Sequence, residues 1–95
     1  MRSLNYHNVK IEKFKNSNRI ILKGEVTNES GKSYNTVAVR VMLFVSNVIA
    51  INEVFLINDL PNGTTKAFER HIYDLSLGQS FEDITRYELF TENCY

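Results

Sequence analysis

The sequence predicts an all-β sandwich of about six to seven mostly antiparallel strands. Residues 19–28 and 34–45 alternate apolar and polar side chains with the two-residue period of a strand that has one face on a core. Turn-forming residues recur at short intervals, and no stretch has the spacing of an amphipathic helix of useful length. Ninety-five residues suffice for one domain, spanning 1–95, with no internal repeat or linker.

The elements follow in chain order. Val9-Lys10-Ile11-Glu12 is a short alternating strand, and residues 14–18 read as a polar turn. The next strand turns Ile20, Leu22, Gly24 and Val26 inward and Lys23, Glu25 and Thr27 to water. Gly24 on the inward face marks a bulge or makes room for a bulky neighbour. Residues 28–33, rich in Asn, Ser and Gly, are the connection to a second long strand, which puts Val37, Val39, Val41, Leu43 and Val45 on one face. Ile49-Ala50-Ile51 and Val54-Phe55-Leu56-Ile57 are apolar on both faces; Asn52 and Glu53 between them suggest a bulge or a change of sheet. Pro61-Asn62-Gly63 is the strongest turn signal, Pro61 fixing φ and Asn62-Gly63 tolerating positive φ. Residues 64–73 resume as a strand with Phe68 and Ile72 on one face. Residues 74–83 form a longer connection with a helical turn, and residues 84–90 a last strand that aligns Tyr87 with Leu89.

Composition narrows the function classes. Eleven basic residues balance eleven acidic ones, which argues against nucleic acid, since phosphate binding draws on an excess of Lys and Arg. No apolar run is long enough for a membrane-spanning helix, and residues 1–14 have no apolar core to serve as a secretion signal, so the compartment stays open. The first quarter is basic (Arg2, Lys10, Lys13, Lys15, Arg19, Lys23). The last is acidic (Asp74, Glu82, Asp83, Glu88, Glu92, against Arg86). Adjacent first and last strands would let the two neutralise each other. The triplets beginning at Asn28 and Asn62 are formal glycosylation acceptors, at a frequency expected from chance.

Residues 24–30, Gly-Glu-Val-Thr-Asn-Glu-Ser, the alternating residues 37–45, and residues 60–68, Leu-Pro-Asn-Gly-Thr-Thr-Lys-Ala-Phe, together resemble the FxLYD-type immunoglobulin-like domain. Gly24, Val26 and Asn28 match its G-x-V-x-N strand, and Leu60, Gly63 and Phe68 its L-x-x-G-x-x-x-x-F element. Residues 41–45, Val-Met-Leu-Phe-Val, stand where the family has Phe-x-Leu-Tyr-Asp and keep the leucine and an aromatic. The likeness covers residues 20–73. A water-stress, late-embryogenesis-abundant-like sandwich shares the first strand pattern. Either resemblance implies an immunoglobulin-like β-sandwich serving as an accessory or binding module, often extracytoplasmic in prokaryotes, with no catalytic residues and no cofactor.

Chemistry is sparse along the chain. His7 and His71 stand alone, Cys94 reads as an incidental thiol on a frayed tail, and adjacent Glu82 and Asp83 would point apart in an extended segment, so neither a metal site nor a catalytic set is expected. No hydrolase or phosphate-loop motif occurs. The candidate functional feature is the outward side of the strand over 34–45, where Ala38, Arg40, Met42 and Phe44 include two large apolar side chains. Either a loop or the run 54–57 folds over it, or Arg40, Met42 and Phe44 form a face for a protein partner or a second copy; strand addition at an open edge is a further route. A non-catalytic interaction module is therefore the first expectation. The alternative is a small-molecule or glycan-binding domain that stacks ligands on Tyr34, Tyr73 or Tyr87.

Overall fold

The alternation around residue 24 becomes a central strand whose inner residues, Ile20, Leu22, Gly24, Val26 and Asn28, are all buried. The computed structural model describes residues 4–13, 19–72 and 81–95. Among these the strands are β1 (Leu4–Lys13), β2 (Ile20–Asn28), β3 (Tyr34–Val45), β4 (Val48–Leu60), β5 (Thr65–Ile72) and β6 (Arg86–Cys94), with a 3-10 turn at Phe81–Asp83. They form two three-stranded sheets, β1-β2-β5 and β4-β3-β6, antiparallel throughout. Ile20, Leu22 and Val26 from one sheet and Val37, Val39, Val41 and Leu43 from the other are fully buried in a single core. Two antiparallel sheets about one interior agree with the all-β reading of the sequence, with six strands among the described residues where about six to seven were expected. The expected turn at 14–18 and connection at 74–80 lie outside the described residues.

Two residues explain why the layers close as they do. Gly24 pairs with Phe68 across β2 and β5, and a Cβ on Gly24 would lie 2.7 Å from Phe68 Cζ. The absent side chain is what lets the tip of the Phe68 ring approach the strand, where the ring packs on Phe55 and Tyr6. Asn28 ends β2 fully buried, with every polar atom partnered. Its Nδ2 donates to Lys32 O (2.7 Å) and Leu60 O (2.9 Å), and its Oδ1 accepts from Ser30 N (3.0 Å) and Ser30 Oγ (2.7 Å). Its backbone N–H goes to Thr64 O and its C=O accepts from Gly63 N–H. One side chain thus ties the turn after β2 to the turn after β4, so the polar stretch 28–33 is a connection held from within. The buried Nδ2 also removes Asn28 from the glycosylation acceptors of the folded chain.

Three strands differ from expectation, each through a bulge, where one extra residue reverses the alternation. β1 begins at Leu4 rather than Val9: Leu4 and Tyr6 face inward, then Asn8 takes a positive φ of 54°, and Val9 and Ile11 face inward after it. β4 is continuous over Val48–Leu60. Asn52 and Glu53 do not interrupt it; the irregularity is at Ala50, where Leu43 pairs with Ile51 and Phe44 with Ile49. β6 runs on to Cys94 because the step at Glu92 restores Cys94 to the inner face after Leu89 and Thr91. Cys94 is accordingly half-buried in a strand opposite Val37, not on a frayed tail. The turn after β4 centres on Asn62-Gly63 (Gly63 φ 80°), Thr64 N–H donating to Pro61 O, so Pro61 precedes the central pair.

Candidate interaction surface

β3 is the middle strand of its sheet, so the side chains it turns away from the core have neighbours on both sides. Cross-strand register puts Ala38 beside Leu56, Arg40 beside Val54 and Phe90, Met42 beside Asn52 and Glu88, and Phe44 beside Ile49 and Arg86. The three expected residues, Arg40, Met42 and Phe44, therefore share one outer face, and β4 and β6 extend it with apolar side chains. Leu56 is 60% exposed, Ile49 47%, Phe90 40% and Val54 37%. The run 54–57 lies beside this face and does not fold over it: Phe55 and Ile57 are buried inward, while Val54 and Leu56 point outward.

The charges on the face are paired among themselves. Arg40 grips Glu92 with both carboxylate oxygens (Nε–Oε1 2.8 Å, Nη2–Oε2 3.0 Å) and donates through Nη1 to Asn52 Oδ1. The Arg86 guanidinium lies 3.7 Å above the Phe44 ring and donates to Glu88. That cover is why Phe44, although outward, is only 6% exposed. Arg40, Arg86, Glu88 and Glu92 sum to zero, leaving an apolar surface with fixed, neutralised polar ribs.

The opposite outer face, on β1-β2-β5, is polar. His7 Nε2 meets Thr27 Oγ1 at 2.9 Å, Thr27 Oγ1 meets Thr65 Oγ1 at 2.7 Å, and Glu25 Oε1 lies 3.7 Å from His7 Nδ1 while accepting from Asn8 Nδ2. A hydroxyl, an imidazole and a carboxylate in a row have the order of a hydrolytic set. They occupy adjacent cross-strand positions on a sheet surface, with Thr27 Oγ1 tied to a second hydroxyl and the His7–Glu25 contact at ion-pair rather than hydrogen-bond distance. His71 meets Glu69 Oε2 at 2.9 Å on the same sheet. Among the described residues no group of three or more His, Cys, Asp or Glu is placed to hold a metal ion, and no helix is long and apolar enough to cross a membrane.

The flanks of the two layers differ. On one side Glu53 of β4 and Arg70 of β5 bridge the sheets (3.2 Å). On the other, Tyr6 of β1 hydrogen-bonds Thr91 of β6 (2.5 Å), and Lys13 reaches Glu82 (3.5 Å), so the basic early strand and the acidic late segment do meet. Burial pushes the Tyr6 phenol pKa up from its ordinary 10.0, the Thr91 bond opposing. Two clefts of about 330 and 320 Å³ open along this flank, one lined by Ile11, Ile84 and Tyr87, the other by Leu4, Tyr6 and Leu89. Tyr87 belongs to the first and Tyr34 to neither, and Tyr73 lies outside the described residues. None of the family models, curated proteins or solved structures compared with this chain matches it.

Missing from the sequence reading were Val54, Leu56, Ile49 and Phe90. The doubly apolar run 54–57 was the signal for the first two; Phe90 follows from alternation with Tyr87 and Leu89.

Proposed function

We propose that this chain is a non-catalytic, immunoglobulin-like interaction module that binds a protein partner through the outer face of β4-β3-β6. The observation that carries the reading is the cluster of Val54, Leu56 and Phe90 exposed around Ala38 and Arg40, with every charge on the face already paired. A contiguous apolar area on a folded surface marks an interaction site, and fixed neutral ribs favour a protein over a polyanion. The FxLYD-type likeness is part of the same proposal. The Phe68 ring over Gly24 and the buried Asn28 give its strand and turn residues a physical role, which supports a shared architecture and assigns no specific partner.

Site-specific photo-crosslinking in the native cell tests this. A photoreactive residue at position 56 should give a discrete protein adduct that Val54→Glu abolishes. The same group at position 25, on the polar outer face, should not. Adducts of equal yield at both positions, or none at position 56, would remove the outer face from consideration.

A further inference from the structure

We infer that β6 is a strand-addition edge, and that its occupant is β6 of a second copy of this chain, antiparallel about a two-fold axis at Leu89. This surface is distinct from the outer sheet face, and the inference stands independently of the function proposed above.

The argument begins with the four edge strands. An open edge invites pairing with another chain, and proteins blunt it with bulges or with charges aimed inward. β4 places Glu53 on its inner side between Ile51 and Phe55, and is bulged at Ala50. β5 places Lys66 and Arg70 on its inner side, opposite Val26 and Leu22. β1 is broken mid-strand by the bulge at Asn8. β6 has neither device over residues 86–91. Its inner side chains there are Tyr87, Leu89 and Thr91, opposite Leu43, Val41 and Val39, and its register is regular until Glu92.

The backbone groups on that edge can be assigned. Thr36 and Tyr95 exchange both N–H···O bonds, so even-numbered residues of β3 face β6, and their partners Phe90, Glu88 and Arg86 face back. Alternation leaves the N–H and C=O groups of Tyr87 and Leu89 directed to the open side. The core is also less closed there: Leu4, Tyr6, Val9, Ile11, Ile84 and Leu89, among its partly buried members, belong to β1, β6 and the residues leading into β6, and both clefts lie along this flank.

For a second copy of β6, geometry and charge then narrow the register: centring on Tyr87 would bring the Phe81–Asp83 turn opposite residues 91–93 and shorten the strand pairing. Self-pairing centred on Glu88 sets that carboxylate against its own copy, and centring on Phe90 sets Glu88 against Glu92. Both are like-charge pairs, which destabilise a sheet when directly opposite. Centring on Leu89 sets Arg86 against Glu92, Glu88 against Phe90, Tyr87 against Thr91 and Leu89 against itself, with no like charges opposed. In that register Tyr87 and Leu89 gain backbone partners that β3 does not supply, and the two second sheets become one six-stranded sheet.

Amide hydrogen exchange of the wild-type chain across a dilution series tests this, with sedimentation velocity run in parallel. The Tyr87 and Leu89 amides should exchange at least about tenfold more slowly at high concentration than at low, as a dimer forms. Tyr87→Lys, which gives β6 the kind of inward charge that β4 and β5 carry, should remain monomeric, whereas Leu56→Glu on the outer face should still dimerise. A wild-type chain that is monomeric throughout, with both amides exchanging freely, would overturn the inference. So would a dimer dissolved by Leu56→Glu and untouched by Tyr87→Lys.

Discussion

Gly24 and Asn28 show how two small residues can organise a sandwich this size. A methyl group at position 24 would need space that the Phe68 ring occupies, and the ring is wedged between Phe55 and Tyr6. Gly24→Ala is expected to lower stability by about 1–3 kcal/mol, as overpacking does, and a Phe68→Leu background should recover part of that loss in urea denaturation. Asn28→Ala would strand the buried carbonyl of Leu60 and remove the part-buried bonds to Lys32 O and from Ser30 N–H. An abandoned buried group costs about 1–3 kcal/mol and the lost bonds add to that, so Asn28→Ala should be the more damaging, read as a fall in the denaturation midpoint with little change in slope. Tyr6 supplies a pH signature. Its phenol pKa is raised in the folded state by burial, so the unfolded chain loses that proton first. Its contribution is complete below pH 10.0 and declines as pH rises through the folded value. Tyr6→Phe, which keeps the ring against Phe68, should therefore lose less stability than wild type between neutral and strongly alkaline pH, measured by thermal unfolding across that range.

At the scale of elements, legibility in the sequence tracked the absence of bulges. β2, β3 and β5 keep one parity from end to end, and their inner faces were readable as Ile20-Leu22-Gly24-Val26, Val37-Val39-Val41-Leu43 and Phe68-Ile72. β1, β4 and β6 each contain one extra residue, at Asn8, Ala50 and Glu92, after which inward positions move from even to odd or back. A period-2 pattern cut in this way looks like two short fragments, so the first strand read as four residues and the last lost its end. Glu53 misled for a different reason. A carboxylate among apolar residues reads as a break, whereas here it faces the flank and finds Arg70 across the layers. The outer face was half legible: Arg40, Met42 and Phe44 follow from alternation alone, but whether the 54–57 run lies beside or above them depends on strand order, which one strand's pattern does not encode. Arg86 over Phe44 depended on pairing between residues 42 positions apart, beyond any local signal.

For the whole molecule, the consequence is a core sealed on one flank, open clefts on the other, and one outer face apolar while its counterpart is polar. That asymmetry is the basis for assigning interaction to the β4-β3-β6 side. Replacing Leu56 by Glu should leave stability within about 0.5 kcal/mol of wild type, because the side chain is solvated already. Solvent paramagnetic relaxation of methyl groups in the dilute chain is the most direct check on that asymmetry. The methyls of Val54 and Leu56 should relax strongly in the presence of a soluble gadolinium chelate, while those of Val37, Val39, Val41 and Leu43 remain shielded. If Leu56 were as protected as Val39 in the monomer, the chain would cover this face with its own residues, and the surface proposed for a partner would not exist.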